Sequence, residues 1–528
     1  MMENFRIAIF IITILFSIIN LMFILKYDLQ MLQQNSYRNS RYIHWIRNSD
    51  ETSRMPRLMT MALFAMLCAY WFTWTQLIAC IVLIFMIVSM ANKKYKKPLV
   101  FTPRIWRLVI GCTVLFATIA FLFSMYNLAY LSRVLLALSA VSYVIVIIAN
   151  WALLPVERSI NQSYVDDAKR RLAQMPDMKI IGITGSYGKT STKHYLNRIL
   201  NEQYNVLMTP GSYNTPMGVV RTIRELMEPY HDIFIVEMGA KNIGDIKEIC
   251  DIVHPEIGIL TSVGAQHLES FKTIENVQRT KFELIDALPE SGLAILNNDF
   301  EYVENRVVNN VNTIRYAVKS SDRINYTATD IKYSIAGTSF TLLNKSDGSR
   351  LDIKTRLLGE SNISNLMAAI IVAKELGISD DKIQYAASKV EQVEHRLSMK
   401  QTPGKVTIID DAFNSNPVGA SMALDVLRMM DSGKRIIITP GMIELGEKQI
   451  EYNTDFGKKM ASSCDIAIVV GQYNREAIVS GFNMATGADN TTELHTVESF
   501  AEAQQFLHSI LQPGDIVLYE NDLPDTFK

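Results

Sequence analysis

Four long stretches without a single charged residue occupy the first 156 positions and dictate what this half of the chain can be. They run from Ile7 to Leu25 (19 residues), Leu58 to Asn92 (35), Leu108 to Ser132 (25) and Val134 to Val156 (23). A hydrocarbon core of ~30 Å takes ~20 helical residues, so each is long enough to span one. The 35-residue run is too long for one ordinary span and suits two short ones hinged near Thr75 and Gln76, which gives a membrane region at 1–156 of about five helices. Cytoplasmic loops carry the excess of Lys and Arg. Loop 26–57 holds six of them and loop 91–107 another six, whereas the Thr75/Gln76 turn has none and the segment between the last two spans has only Arg133. This alternation predicts a multi-pass protein of the cell membrane with its N-terminus outside and everything after Pro155 in the cytoplasm. Arg6 before an apolar run also suits a signal peptide, but no small-residue cleavage site follows Leu25. No ionisable residue lies inside a run, so an ion or proton pathway lacks a candidate relay, and the spans read as an anchor or a partner surface.

The net charge of -1 hides an asymmetry. Residues 1–155 carry 14 Lys/Arg against 4 Asp/Glu, and the remainder 38 against 49. With 49% hydrophobic and 20% charged residues, the chain is neither disordered nor a nucleic-acid-coating protein. Its 528 residues suggest three or four structural units at ~150 residues each. The five cysteines never approach C-x-x-C spacing and three lie in apolar runs, so neither a zinc ribbon nor a disulfide framework is expected.

After a linker at 157–177 the pattern becomes strand, glycine turn, helix, repeated. Short β-branched runs at Ile180 to Thr184, Ile233 to Val236, Ile257 to Thr261 and Ala294 to Leu296 have the character of buried parallel strands. Alternation around Asp347-Gly348 predicts an antiparallel addition. A second series begins at 395, with strands near Val406, Arg435, Asp465, Leu494 and Asp515. The expected fold class is a multi-span α-helical membrane region followed by α/β: a P-loop parallel-sheet ATPase domain at 178–394 and a Rossmann-like α/β C-terminal domain at 395–528.

The first strand runs into Gly182-Ile-Thr-Gly-Ser-Tyr-Gly-Lys-Thr190 and a helix. In such a loop, Thr184, Gly185, Ser186, Tyr187 and Gly188 turn backbone N–H groups toward phosphate, Lys189 reaches the β/γ-phosphates, and Thr190 offers a hydroxyl to Mg2+. Ile183 stands where the strict pattern wants a small residue, and a glycine-rich turn with a chance Gly-Lys-Thr is the plain alternative. Glu237, in Val236-Glu-Met-Gly-Ala240, and His267, in Thr261-Ser-Val-Gly-Ala-Gln-His267, fall at strand C-terminal ends, where parallel sheets bind ligands. Both suit divalent ions. Read alone, Glu237 equally suits a surface ion pair and His267 a satisfied loop histidine.

Six ordered motifs give the chain a family resemblance. Thr184-Gly-Ser-Tyr-Gly-Lys-Thr190, Val236-Glu-Met-Gly-Ala240, Asn297-Asn-Asp299, Leu358-Gly-Glu-Ser-Asn-Ile-Ser-Asn365, Asp410-Asp-Ala-Phe-Asn-Ser-Asn-Pro417 and Gly441-Met-Ile-Glu-Leu-Gly-Glu447 resemble those of the Mur ligases, ATP-dependent amide-forming enzymes of peptidoglycan precursor synthesis, most of all the branch that adds D-alanyl-D-alanine. The resemblance covers about Ile180 to Phe527 and implies ATP and Mg2+. It further implies that Lys189 and Thr190 bind phosphate and magnesium, that Glu237 and His267 each hold a magnesium ion, and that Lys281 is a carbamylation site. A solvated helix lysine remains the alternative for Lys281. By the same resemblance Asn297 and Asn362 face the adenine side, Arg396 the γ-phosphate and Asp411 the ribose, with Asn414 a further nucleotide contact. A carboxylate would attack the γ-phosphorus to give an acyl phosphate, and an amine would then displace phosphate.

There are departures from the family pattern. Membrane spans replace the UDP-sugar domain, Ser361 replaces a histidine, Phe413 a tyrosine and Asn453 a histidine, and Glu520-Asn-Asp-Leu-Pro-Asp525 replaces a Lys-Gly-Ser. The expected partners are therefore a lipid-linked or UDP-linked carboxylate acceptor, an amino acid or dipeptide amine, and the membrane, without nucleic acid. The alternatives are a ligase making an amide-linked surface polymer such as polyglutamate, and a non-ligase P-loop ATPase subunit of a membrane complex.

Overall fold

A computed structural model describes the chain except residues 1, 49–50, 70–72, 94, 96, 267, 320–322, 335–336, 394–396, 413–414, 431–432, 486–491 and 523–528. The chain divides into two compact units, Met1–Gln162 and Ser163–Leu523.

The first unit is helical: α1 (Met2–Gln34), α2 (Asn39–Asn48), α3 (Glu51–Ala69), α4 (Thr73–Asn92), α5 (Pro103–Ser124), α6 (Leu131–Ala140) and the start of α7 (Ser142–Ala173). Four of these, α1, α4, α5 and α7, are long and apolar enough to cross a membrane, where about five were expected. The apolar parts of α3, Met55–Ala69, and of α6 are shorter. Large apolar side chains such as Leu15, Phe85, Ile110 and Phe121 are exposed, while Leu29, Leu67, Cys112 and Val146 are buried. An apolar exterior over an apolar interior suits lipid rather than water.

Three expectations shift here. Within the 35-residue run, Thr75 and Gln76 sit inside α4 rather than at a hinge, and residues 70–72 lie outside the described residues. A polar pair is a weak hinge signal, because neither residue removes a backbone donor. The final run is divided at Val141, which closes α6 before α7 begins. Finally, α1 continues nine residues past Leu25 and so carries Asp28, which is buried with Arg57 and the Ser142 hydroxyl as its partners.

The segment 157–177 is helical to Ala173 rather than an extended connector. Val165, Ala168 and Leu172, spaced i, i+3, i+7, form an apolar stripe that packs into the core of the following domain. Arg224 Nε donates to Asp167 at 2.8 Å beside it.

In the second unit β1 (Lys179–Thr184), β2 (Val206–Met208), β3 (Ile233–Glu237), β4 (Ile257–Leu260), β5 (Leu293–Asn297), β6 (Asn312–Ala317), β7 (Tyr326–Ser334), β8 (Gly337–Asn344) and β9 (Arg350–Thr355) form one sheet in the order β2-β3-β1-β4-β5-β6-β7-β8-β9. It is parallel through β7, and β8 and β9 add antiparallel around Asp347-Gly348. Alternate residues of the central strands feed two cores, Ile181, Ile183 and Ile235 on one face and Ile180, Phe234 and Val236 on the other. The helix Glu360–Glu375 is buried continuously from Asn362 to Ala373, so its two asparagines and Ser364 must find partners inside the protein.

A second sheet contains β10 (Ser398–Gln401), β11 (Thr407–Asp411), β12 (Arg435–Thr439), β13 (Ile466–Val470), β14 (Glu493–Val497) and β15 (Ile516–Glu520), ordered β10-β11-β15-β12-β13-β14. It is parallel except for β10.

Candidate active site

Because β3, β1, β4 and β5 are parallel neighbours, the residues at their C-terminal ends share one edge: Glu237, the loop after Thr184, Thr261-Ser262 and Asn297. The loop is built as a turn that needs glycine. Gly188 has φ +80°, and a Cβ there would collide with Asn365 Oδ1. Neighbouring strand ends hold the loop in place. Ser262 Oγ accepts from Tyr187 N at 2.6 Å, Ser186 Oγ donates to Gly264 O at 3.0 Å, and Thr184 Oγ1 donates to Met238 O at 2.8 Å. The helix α8 (Lys189–Leu200) starts at the loop's end. Its N-terminus therefore faces whatever the loop holds. Lys189 Nζ donates to Gly185 O at 2.6 Å and Ser186 O at 3.1 Å, folded over the loop whose ligand it would neutralise.

Thr190 Oγ1 donates to Glu237 Oε1 at 3.1 Å, and Asn214 Nδ2 donates to the same oxygen at 3.1 Å. Glu237 is 2% exposed, so it is not a surface ion-pair partner. Lys193 Nζ lies 2.9 Å from its Oε2, an ion pair by distance, although Oε2 has no directed hydrogen-bond donor. Burial pushes the Glu237 carboxyl up, but the Lys193 and Lys189 ammonium charges, with the Asn214 amide as donor, hold it below the usual range. Lys281 is 2% exposed and so is not a solvated helix lysine. Burial, followed by the nearby Lys189 charge, drives its amine well below the usual range, with Asp245 and Glu283 opposing.

Residues 183–373 match the Mur ligase middle domain, and residues 395–519 match the Mur ligase, glutamate ligase domain. The UDP-N-acetylmuramoyl-tripeptide--D-alanyl-D-alanine ligase of Mycobacterium tuberculosis (strain ATCC 25618 / H37Rv) is 30% identical over 368 residues, covering 65% of this chain and 70% of the relative. The chain belongs to the Mur ligase family. It is an ATP-dependent amide-bond ligase. The ligase of the same name from Escherichia coli (strain K12) is 29% identical over 344 residues, covering 65% of this chain and 75% of the relative. Among solved structures, MurF from Acinetobacter baumannii has a TM-score of 0.61 at 25% identity, covering 69% of this chain and 78% of its own. MurF from Thermotoga maritima in complex with ADP has a TM-score of 0.61 at 24% identity, covering 69% of this chain and 80% of its own, which shows the shared fold.

In this Mur ligase the remaining candidates fall in three groups. Asn297 and Asn362 are buried and engaged within the protein. Asn297 Nδ2 donates to Thr261 O at 2.8 Å and Ser364 Oγ at 2.9 Å, while Asn362 donates to Leu358 O at 2.8 Å and accepts from Tyr195 OH at 2.7 Å. Asp411 closes β11, with its Oδ1 accepting from Leu397 N at 3.0 Å. His267, Arg396 and Asn414 lie outside the described residues. Among the described residues no cluster of three or more His, Cys, Asp or Glu is placed to hold a metal. Thr190 and Glu237 are thus the oxygen donors brought together.

Three residues escaped the sequence reading. Lys193 sits one turn after Lys189, on the face of α8 that also buries Leu196 and Leu200, and an i, i+4 lysine in line with buried leucines is a detectable signal. Asn365 accepts from Thr192 Oγ1 at 3.2 Å and packs against Gly188. Glu520, at the end of β15, is fully buried between the hydroxyls of Ser415 and Thr439. Burial pushes its carboxyl up to about 7.

Proposed function

We propose that this chain is a membrane-anchored ligase of cell-wall peptide assembly that joins a peptide carboxylate to an amino acid or dipeptide amine through an acyl phosphate. The observation that carries the reading is the convergence of Lys189, Thr190 and Glu237 on one strand edge of a Mur ligase fold. A carboxylate oxygen attacks the ATP γ-phosphorus and ADP leaves; the amine then attacks the acyl carbon and phosphate leaves. Lys189 exchanges its two loop carbonyls for phosphate oxygens and neutralises charge on the transferring group. The donor set fits a magnesium ion, since a threonine hydroxyl and a buried carboxylate with one oxygen short of a directed donor are hard oxygen ligands. Magnesium, when bound there, supplies further neutralisation of the phosphoryl group. Lys281, whose amine burial drives well below its usual range, suits carbamylation, which would make it an anionic partner of the same edge. The loops after β3 and β12 meet through Lys241 Nζ and Glu444 Oε1 at 3.2 Å, and this contact between the two sheet domains helps keep water from the acyl phosphate.

In this reading the protein sits in the cell membrane, with the N-terminus outside and the catalytic sheets in the cytoplasm, where ATP is available; the length and apolar composition of α1, α4, α5 and α7 support it. The curated relatives are named for a UDP-N-acetylmuramoyl-tripeptide and D-alanyl-D-alanine. The acceptor proposed here is the same peptide chemistry in lipid-linked form. ADP release with soluble UDP-linked tripeptide, with its lipid-linked counterpart and with polyglutamate, each with D-alanyl-D-alanine or glutamate, tests this reading. Release that depends on a muramoyl peptide and is faster with the lipid-linked form is expected; release with polyglutamate and glutamate alone overturns it.

A further inference from the structure

A cavity of 700 Å³ lies within the unit Met1–Gln162, lined among the described residues by parts of α1, α3 and α4 and by Lys93, Tyr95, Pro98, Leu99 and Phe101. That volume falls in the range of small-molecule sites. Part of the wall is apolar, with Phe23, Ile24 and Leu99 in it, and the rest includes three cations, Lys26, Arg57 and Lys93. Among the described residues, none in the lining is acidic. The cations come from three separate segments, yet each lies just beyond the end of an apolar run: Lys26 follows Leu25, Arg57 precedes Leu58 and Lys93 follows Asn92. In a membrane that is the level of the phosphate head groups.

Interfacial lysines alone need no ligand, since they snorkel to water. Arg57 is different. Its side chain is only 10% exposed, and its pairing with Asp28 leaves Nε without a hydrogen-bond partner. Asp28 is fully buried and receives the Ser142 hydroxyl as well, so this carboxylate is committed within the protein. A buried guanidinium N–H without an acceptor, beside a cavity with no acidic residue in its described lining, calls for an anionic oxygen. Lys93 is held at the rim by the faces of Tyr27 and Tyr95, at 5.8 and 5.6 Å from their ring centroids.

We infer that this cavity binds the phosphate head of a lipid, with Lys26, Arg57 and Lys93 around the phosphate and the start of the hydrocarbon chain on the apolar wall. The inference rests on the proposed membrane placement and does not depend on the ligase chemistry. A polyprenyl phosphate and an anionic glycerophospholipid share this chemistry, and the test separates them.

The full chain, purified in detergent, is titrated with polyprenyl phosphate, with phosphatidylglycerol and with glycerol phosphate, and bound lipid is counted by native mass spectrometry. One saturable equivalent of a lipid phosphate is expected, without comparable binding of glycerol phosphate. Lys26→Gln/Lys93→Gln should weaken binding about thirtyfold, and Ala91→Trp, which fills the cavity, should abolish it. Arg38→Gln/Arg47→Gln removes the same charge at positions outside the described lining and should bind as the parent does. Preference for the polyprenyl phosphate assigns the site to a lipid-linked substrate, and preference for phosphatidylglycerol assigns it to the bilayer; either supports the inference. Equal losses in the two double variants, undiminished binding in Ala91→Trp, glycerol phosphate binding as tightly as the lipids, or absence of a saturable equivalent overturns it. Each readout is independent of ADP release, and carbonate extraction of the full chain from membranes tests the membrane placement separately.

Discussion

Lys189 is half-buried at the loop and belongs to neither apolar core of its domain. Lys189→Ala should therefore lower ATP turnover by about 10²–10³-fold with little change in Tm, as followed by ADP release and thermal melting. Lys193 behaves oppositely. Lys193→Met strands the buried Glu237 charge at a cost of roughly 3–5 kcal/mol, whereas Glu237→Gln/Lys193→Met should recover most of that stability while staying inactive, which denaturant titration and ADP release separate. Burial drives the Lys281 amine well below its usual range, so incubation with ¹³C-bicarbonate should give a carbamate resonance that is absent from Lys281→Gln. Glu520 carries a pH signature. Its folded pKa of about 7 lies above the ordinary 4.5, so the fold favours the neutral carboxyl. The resulting stabilisation is complete below pH 4.5 and is lost as the pH rises through 7, about 3 kcal/mol in all. The Tm of the wild type should fall over that window relative to Glu520→Gln; parallel profiles would refute the assignment.

Among the elements, the helices Gln449–Ala461 and Arg475–Ala485 cross with glycine at the contact. A Cβ on Gly481 would meet the Thr454 carbonyl oxygen and one on Gly457 the Ile478 carbonyl oxygen. Gly481→Ala should cost about 1–3 kcal/mol through forced separation of the pair, read as a lower Tm. The end of α7 makes a second element-scale test. Val165, Ala168 and Leu172 are part of the core beside β1, so a truncated chain beginning at Met178 should melt below one beginning at Ser159. Equal melting points would return the segment 157–177 to the role of a passive connector. Composition hid this role, because Asp166, Asp167, Lys169, Arg170 and Arg171 surround the three apolar positions.

For the whole molecule, the two halves differ in the solvent they require. The catalytic half holds the phosphate loop and the 38 Lys/Arg against 49 Asp/Glu that follow residue 155, so the chain beginning at Ser159 should stay soluble without detergent and bind ATP. It should retain ADP release with a soluble acceptor and lose about 10²-fold with a lipid-linked one, because confinement to a membrane raises effective concentration. Equal activity toward both acceptors would leave the membrane half without a role in substrate delivery.

What the sequence determined by itself was whatever depends on local pattern. Charge-free runs as long as a bilayer is thick, short β-branched runs between glycine turns and the spacing of Gly-x-x-Gly-Lys-Thr are each readable from neighbours along the chain, and with them came both sheets, the phosphate loop and the ligase family. Only the tertiary structure decided which polar groups face one another. The Lys193–Glu237 pair joins α8 to β3, Glu520 lies between hydroxyls from two other segments, and Arg57 meets Asp28 across separate helices. These partners lie 29 to 105 positions apart, and no sequence period reports contacts at that range. Burial then sets each group's chemistry, because a charge taken out of water is governed by the few atoms around it rather than by its neighbours in sequence.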